Sequence, residues 1–270
     1  MMLACLEMTR PLNGLMSVFA VFVAATLVNF PISYPMLLAF LVVFLVSGAG
    51  MVINDYFDYD IDKINRPKRP LPSGRVSKRM ALVFAFVLFL IANVLALMLN
   101  VQILALTVFN TIVAFVYSWK LKRKLLIGNM TVSWMVASTF IFGSLLTKTL
   151  DPIIIILFML SFSANLGREI TKTIEDMKGD MKAKANTLPI VAGKNFAAWV
   201  ACIFVIFSIF FSFMPYMFGL LGVNYLSLVI VADIFFAISC PLALVTPHKS
   251  QKVMKIAMII ALTAFLLGAF

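Results

Sequence analysis

The residues best suited to chemistry are carboxylates placed directly after an apolar run. Residues 51–62 read Met-Val-Ile-Asn-Asp-Tyr-Phe-Asp-Tyr-Asp-Ile-Asp. If they form the last turns of a helix, Asn54, Asp58 and Asp62 recur every four positions and share one face, with Asp55 beside them. Such a face repels itself at a helix C-terminus, where the macrodipole is already negative, unless a cation binds. The pattern favours a cation site over a solvated acidic helix end.

A second charged stretch lies more than a hundred residues further on. Residues 168–180 read Arg-Glu-Ile-Thr-Lys-Thr-Ile-Glu-Asp-Met-Lys-Gly-Asp. On a helix, Arg168, Lys172, Asp176 and Asp180 recur every four positions, so cations and carboxylates share one stripe. Mixed charges at this spacing also stabilise ordinary surface helices, and that alternative stays open. Both acidic stretches end the second apolar span of a four-span group, which suggests one helical module used twice.

The elements that position these motifs are membrane-spanning helices. The chain has 270 residues, of which 63% are hydrophobic and 12% charged, whereas soluble domains average about a quarter charged. The cysteines, Cys5, Cys202 and Cys240, lack metal or redox spacing and are predicted to pack. At about 20 apolar residues per span, the chain is predicted to be an all-α, multi-pass transmembrane bundle of nine helices. The spans lie near residues 12–30, 36–57, 79–99, 101–119, 127–147, 152–175, 194–214, 224–246 and 252–270.

The predicted organisation is a single integral-membrane domain, residues 1–270. It contains two pseudo-repeated four-helix groups, about 12–119 and 127–246, followed by a last helix at about 252–270. All but one of the 22 lysines and arginines fall on one side of this topology, and the exception is Lys148. The positive-inside rule then predicts a cytoplasmic N-terminus and an outside C-terminus. Topology and anionic headgroups account for the net charge of +11, and no nucleic-acid-binding motif is present.

Two carboxylate faces on one membrane side suit Mg²⁺, which commonly joins one or two carboxylates to substrate phosphates. The predicted ligand is therefore a diphosphate, and Lys and Arg on the same side would stabilise its charge. A diphosphate alone needs no apolar bundle. A diphosphate with a long apolar tail does, because the tail can lie between the helices while its head stays at the cytosolic edge.

Several stretches resemble signatures of the UbiA superfamily of intramembrane prenyltransferases. In chain order they are Arg10-Pro11-Leu12-Asn13, Asn54-Asp55-x-x-Asp58-x-x-x-Asp62, Asn65-Arg66-Pro67-Lys68-Arg69-Pro70-Leu71, Tyr117-Ser118 with Leu121-Lys122-Arg123 and Gly128-Asn129, and Asp176-x-x-x-Asp180. The resemblance implies a nine-helix bundle whose two acidic motifs face one central cavity at the cytosolic side. It also implies two Mg²⁺ ions, a prenyl diphosphate donor and an acceptor that becomes prenylated.

The implied mechanism is metal-assisted ionisation of the donor, with the apolar bundle excluding water. The expected metal ligands are Asn54, Asp58, Asp62, Asp176 and Asp180. Of these, the four aspartates, with Lys122, form the expected catalytic set. Residues expected to bind diphosphate or acceptor are Asn13, Arg66, Arg69, Tyr117, Lys122, Arg168 and Lys172. For Asn13 a helix cap, and for Tyr117 an interfacial anchor, remain open as alternatives.

The acceptor distinguishes members of the family. The run from Arg168-Glu169-Ile170 to Glu175-Asp176-x-x-Gly179-Asp180 is most similar to archaeal digeranylgeranylglyceryl phosphate synthases. This similarity implies transfer from geranylgeranyl diphosphate to geranylgeranylglyceryl phosphate in ether-lipid biosynthesis, with release of diphosphate. An aromatic acceptor, as in quinone biosynthesis, remains an alternative because such members share much of the motif. A glycerol phosphate acceptor would need further cations, and the candidates are Lys68, Arg168 and Lys178.

Two other classes of protein are considered. A secondary transporter would bind an ion or phosphate-bearing solute near the bilayer midplane, whereas these charges lie at span ends on one side. A structural membrane scaffold leaves both acidic stripes unexplained. Asp233 lies inside the eighth span, where a carboxylate suggests function, but it is left out of the site as lying near the outer edge. His248, the only histidine, is predicted to be solvated.

Overall fold

The computed structural model describes residues 2–182 and 185–270, and the part it describes is α-helical without a β-strand. The predicted all-α class is therefore confirmed. Lys184, one of the cations behind the predicted topology, lies outside the described residues. The helices are α1 Met2–Met8, α2 Pro11–Leu27, α3 Tyr34–Phe57, α4 Tyr59–Asn65, α5 Lys78–Leu97, α6 Val101–Trp119, α7 Ile127–Ser144, α8 Pro152–Lys182, α9 Leu188–Ala192, α10 Lys194–Phe211, α11 Met214–Met217, α12 Val223–Val245 and α13 Pro247–Gly268.

Within the described ranges, 8 helices are long and apolar enough to cross a membrane. The predicted first span is α2, which reaches that length only together with α1, and the two are bent by 53°. Counting this bent pair as one span gives up to 9, the predicted number. Most predicted span ends fall within a few residues of the helix ends. The exception is α8, which continues to Lys182 instead of ending near residue 175.

On α5 the large apolar side chains face outward and the small ones are buried, which is the reverse of the pattern on an amphipathic helix of a soluble protein. The buried positions of α5 are largely alanines, while large apolar side chains such as Leu90, at 65% exposed, face outward. Lipid is as apolar as leucine, so helices associate in it through close packing of small residues. The pattern on α5 therefore identifies lipid as the solvent around this helix. The buried alanines are Ala81, Ala85, Ala92 and Ala96.

The first of two compact units comprises Met1–Ala25, Phe30–Leu121 and Phe142–Thr149. In it α3 packs against α5 and α6, around a core that includes Met36, Ala39 and Ile103. Asn100 joins two segments of this unit: its Oδ1 accepts from the Ile103 N–H at 2.9 Å, and its Nδ2 donates to the Leu145 carbonyl at 2.9 Å. The C-terminal end of α3, where the first acidic motif lies, belongs to this unit.

The second unit comprises Thr26–Asn29, Lys122–Ile141 and Leu150–Phe270. Helix α8 packs against α10 and α13, and α12 packs against α10 and α13. A Cβ on Gly167 would lie 2.8 Å from the Ala201 carbonyl oxygen, so glycine is needed where α8 and α10 approach. This unit carries the second acidic motif. The predicted pseudo-repeat of 12–119 and 127–246 stays a prediction.

Asp233 is a buried carboxylate within this second unit, in the middle of α12 rather than at its end. The Ser212 hydroxyl donates to Asp233 Oδ2 at 2.7 Å, and the Tyr225 hydroxyl donates to the Ser212 carbonyl at 2.6 Å. The predicted position of Asp233 near the outer edge of the membrane stays a prediction. Asp233 stays outside the candidate site because its hydrogen bond secures the C-terminal end of α10.

Candidate active site

The first acidic motif lies where α3 gives way to α4. Asp58 separates the two helices at φ −86° and ψ 2°, so the predicted continuous helix is interrupted there. The four-residue spacing nevertheless persists, because the Asp58 N–H donates to the Asn54 carbonyl at 3.0 Å and the Asp62 N–H to the Asp58 carbonyl at 2.8 Å. Asn54 Nδ2 also donates to Asp58 Oδ2 at 3.0 Å. Asn54 and Asp58 therefore lie side by side, with the Asn54 amide nitrogen against the Asp58 carboxylate.

Asp62, the third member of this motif, is buried and ion-paired. Arg69, in the turns after α4, donates from Nη1 to Asp62 Oδ2 at 2.6 Å and to Asp55 Oδ1 at 3.2 Å. Asp58 and Asp62 are 8% and 5% exposed. Arg69, which is expected to contact the diphosphate, thus lies against Asp62, one of the carboxylates expected to bind the metal.

Asp55 is a counter-ion to two arginines. Arg10 Nη2 donates to Asp55 Oδ1 at 2.5 Å, and Arg69 binds the same oxygen. Arg10 lies at the bend between α1 and α2 with a φ of 48°, an uncommon backbone conformation for a residue other than glycine. Spacing alone could not reveal this pairing, because Arg10 is far from Asp55 along the chain. Asp55 therefore positions cations instead of adding a further metal ligand.

The other predicted residues of the first unit line the same end of its helices. Arg66 is the exposed residue that closes α4, and its N–H donates to the Asp62 carbonyl at 2.8 Å. Asn13 is exposed, with Nδ2 3.8 Å from the Met51 sulfur. Tyr117 is half-buried in the last turn of α6. The roles assigned to these three side chains stay predictions.

The second acidic motif lies entirely on α8. Residues Arg168 to Asp180 form one uninterrupted helix. Their cations and carboxylates recur every four positions, and such pairs stabilise a helix beyond the apolar span. Arg168 Nη1 donates to Glu169 Oε1 at 3.0 Å, and Lys172 Nζ lies 3.6 Å from Glu169 Oε2. The carboxylate shared by these two cations is thus Glu169, which the predicted stripe did not include. Arg168 Nε is buried without a hydrogen-bond partner among the described residues.

Asp176 and Asp180 are one helical turn apart on α8. The charges acting on Asp180 include the Asp176 carboxylate and the ammonium groups of Lys122 and Lys172. Lys122 comes from the short 3₁₀ turn Leu121–Arg123 that follows α6. The carboxylate pair and two of the predicted diphosphate-binding cations are therefore gathered within the second unit.

Glu175, the neighbour of Asp176, contacts two residues of α13. Glu175 Oε1 lies 2.7 Å from His248 Nδ1, and Gln251 Nε2 donates to Glu175 Oε2. Both partners lie in the first turns of α13. His248 is 58% exposed at its side chain but is paired, so the prediction of simple solvation missed its contact. Glu175 therefore fastens the charged end of α8 to α13.

The donor chemistry fits Mg²⁺. Both motifs offer hard oxygen ligands, namely the Asn54 and Asp58 pair, Asp62, and the Asp176 and Asp180 pair. In the described part of the chain, no group of three or more His, Cys, Asp or Glu side chains is arranged to hold a metal by itself. Mg²⁺ sites commonly use one or two carboxylates and complete the shell with water and substrate phosphate. These oxygen ligands are therefore compatible with a Mg²⁺ ion whose shell a diphosphate completes, and their role stays a prediction.

The described chain combines helices long and apolar enough to span a membrane with two oxygen-rich motifs at helix ends. Residues 14–267 match the UbiA prenyltransferase family, and the chain belongs to that family. It is therefore an integral membrane protein, and the predicted family is confirmed.

The chain is also similar to individual proteins whose names or structures are known. The digeranylgeranylglyceryl phosphate synthase of Methanosphaera stadtmanae is 38% identical over 269 residues, covering 98% of each chain. A solved structure concerned with digeranylgeranylglyceryl phosphate synthase in membranes matches with a TM-score of 0.86 and 35% identity, covering 99% of this chain and 98% of that chain. A UbiA homolog from Archaeoglobus fulgidus bound to GPP and Mg²⁺ shares the fold, with a TM-score of 0.68 at 16% identity over 99% of this chain and 98% of that chain.

Proposed function

We propose that this protein transfers a geranylgeranyl group from geranylgeranyl diphosphate to geranylgeranylglyceryl phosphate. The bond between the donor's allylic carbon and its diphosphate oxygen breaks, and the acceptor hydroxyl forms a new ether bond to that carbon. Diphosphate leaves, and the acceptor hydroxyl loses its proton. The observation that carries this proposal is the 38% identity to a digeranylgeranylglyceryl phosphate synthase across 98% of both chains. Membership in a prenyltransferase family argues against the transporter alternative.

In this proposal the two acidic motifs share one diphosphate. Asn54, Asp58 and Asp62 would hold one divalent cation, and Asp176 and Asp180 would hold a second. When bound, Mg²⁺ neutralises the charge that develops on the departing diphosphate. The relative from Archaeoglobus fulgidus, bound to GPP and Mg²⁺, supports a divalent metal in this fold.

The cations around the motifs have distinct roles in the proposal. Lys122 and Lys172 stabilise diphosphate charge beside Asp180, on which they already act. Arg69, which contacts Asp62, would add positive charge beside the diphosphate. Arg168, whose Nε is buried without a hydrogen-bond partner among the described residues, would offer that N–H to a substrate oxygen. The apolar surroundings keep water from the allylic cation.

A direct assay decides the acceptor. Purified protein in detergent, given geranylgeranyl diphosphate and Mg²⁺, is expected to prenylate geranylgeranylglyceryl phosphate, with 4-hydroxybenzoate and a naphthoate left unreacted. The product is identified by mass spectrometry and diphosphate release is followed in parallel. Turnover of an aromatic acid alone would reject the lipid assignment while keeping prenyl transfer.

The proposed orientation places the N-terminus and both acidic motifs at the cytoplasmic face. Lys148 and Lys124 are both exposed, in the connections after α7 and α6 respectively. In a background with the native cysteines replaced by alanine, Lys148→Cys should react in intact cells with a membrane-impermeant maleimide. Lys124→Cys should react only after lysis. The reverse labelling pattern would invert the topology.

A further inference from the structure

The Thr187 hydroxyl is a buried polar group that its own helix does not use. Thr187 precedes α9 with the extended backbone of a helix-capping residue, φ −81° and ψ 159°, yet its side chain makes no capping hydrogen bond. The second residue of α9 is Pro189, which has no N–H, and the Ile190 N–H donates to the Thr187 carbonyl at 3.0 Å instead. Thr187 is 3% exposed, and its Oγ1 has no hydrogen-bond partner among the described residues. Burial of an unpaired hydroxyl is unfavourable, so this group is available to a partner.

Two backbone hydrogen bonds hold the segment before α9 against the second acidic motif. The Ala185 N–H donates to the Asp180 carbonyl at 3.0 Å, and the Asn186 N–H donates to the Arg123 carbonyl at 2.9 Å. The segment is therefore joined both to the end of α8 and to the 3₁₀ turn after α6, and every residue in these two bonds belongs to the second unit. Thr187, the next residue, is thereby brought beside the end of α8.

The Asp180 carboxylate is the group that the Thr187 side chain meets there. Thr187 lies close enough to act on this carboxylate as a hydrogen-bond donor, together with the charges of Lys122 and Lys172. The contact falls short of a complete hydrogen bond, and Oγ1 remains unpaired among the described residues. Lysine ammonium groups on long, flexible stems supply charge without fixing a direction, whereas a β-branched threonine restricts the rotamers of its hydroxyl. Thr187 is therefore suited to orient the carboxylate.

Carboxylates that bind a metal are commonly held by hydrogen bonds from neighbouring groups, and loss of such a group weakens metal binding. We infer that the Thr187 hydroxyl donates a hydrogen bond to the Asp180 carboxylate in the metal-bound enzyme and positions Asp180 to bind the divalent cation. This inference rests on the proposed function, in which Asp180 is a metal ligand. Thr187 is a positioning residue, because it acts through Asp180 and not on the metal or the substrate. Helical spacing could not reveal it, since Thr187 lies beyond α8 in the chain.

A pair of variants tests the hydroxyl. Thr187→Val keeps the shape of the side chain and removes its O–H group, whereas Thr187→Ser keeps that group. Mn²⁺ binding is measured by electron paramagnetic resonance in detergent, with a non-cleavable thiolodiphosphate analogue of geranylgeranyl diphosphate. Thr187→Val should raise the Kd of one Mn²⁺ ion about tenfold or more, and should raise the Mg²⁺ concentration for half-maximal turnover by a similar factor. Thr187→Ser should keep both values within about twofold of wild type.

Thr246→Val is the matched control. Thr246 precedes α13 as Thr187 precedes α9, each with a proline in the first helical turn and no capping hydrogen bond from the side chain. The Thr246 Oγ1 is likewise buried without a hydrogen-bond partner among the described residues. Its replacement should change neither the Mn²⁺ Kd nor the Mg²⁺ midpoint, because none of the proposed metal ligands lies on α13.

The possible results distinguish this inference from the proposed function. If wild type prenylates the lipid acceptor but Thr187→Val keeps the wild-type Kd and midpoint, the positioning role is wrong while the proposed function stands. A variant that merely folds poorly lowers the maximal rate without moving the Kd, and that result also counts against the inference. If Thr187→Ser binds Mn²⁺ as weakly as Thr187→Val, packing at this position controls the metal, and the role of the hydroxyl is again rejected. Wild-type turnover that persists in excess chelator would reject the metal itself, and with it the proposed mechanism.

Discussion

Replacing either Asp58 or Asp176 with alanine is expected to reduce prenyl transfer by about a thousandfold or more, because each change removes charge stabilisation of the leaving diphosphate. Asp58 is 8% exposed and shares a face with Asn54, so its carboxylate has a fixed direction. Asp176 lies one turn from Asp180 on α8. The measurement is diphosphate release from geranylgeranyl diphosphate across a Mg²⁺ titration.

Asp60→Ala is the matched control for this experiment. Asp60 belongs to the same acidic run but is exposed and lies off the Asn54 and Asp58 face. Its replacement should leave turnover and the Mg²⁺ dependence unchanged. Size-exclusion profiles in detergent must be the same for all variants, so that a loss of activity reflects the site. Full activity of Asp58→Ala or Asp176→Ala in excess chelator would contradict the metal assignment.

Asp55→Ala is expected to cause the largest loss of stability. The Asp55 side chain is 4% exposed and neutralises both Arg10 and Arg69, whose side chains are 31% and 20% exposed. Removing one member of a buried ion pair leaves an uncompensated charge and costs roughly 3 kcal/mol. The melting temperature in detergent should fall by several degrees, and turnover should fall with it because Arg69 loses one of its anchors.

Glu7→Gln provides the comparison for that stability measurement. Glu7 and Arg75 also form an ion pair, with Nη1 to Oε2 at 2.7 Å and Nη2 to Oε1 at 3.0 Å, but both side chains are about half exposed. Exposed pairs contribute little to stability because water and salt screen them. The melting temperature of Glu7→Gln should equal that of wild type. An Asp55→Ala protein that melts with wild type would mean that Arg10 and Arg69 find other partners.

The helices were predictable because a spanning segment is defined by local hydropathy. Position along the chain also predicted the shared face of Asn54 and Asp58, since four-residue spacing is a local property. The interruption at Asp58 was not predictable in the same way, because aspartate can either continue a helix or end it, depending on backbone hydrogen bonds nearby.

Contacts between distant segments account for most of what the sequence left open. The Arg10 to Asp55 ion pair, the contact of Glu175 with His248 and the contact of Lys78 with the Tyr59 ring all join side chains on different helices or turns. Helical periodicity places residues on a face but does not say which other helix meets that face. The extended length of α8 was missed for a related reason, because a hydropathy count stops where charge begins even when the helix continues.

The most direct test of the central claim is electron paramagnetic resonance of the protein with Mn²⁺ in place of Mg²⁺ and a non-cleavable thiolodiphosphate analogue of the donor. If both acidic motifs bind one diphosphate, two Mn²⁺ ions per chain should bind with resolvable magnetic coupling, at a separation of about 10 Å or less. Asp58→Ala and Asp176→Ala should each abolish the coupled signal. Two uncoupled ions more than about 20 Å apart could not coordinate the same diphosphate, given metal–oxygen distances near 2.1 Å, and that result would contradict the shared site.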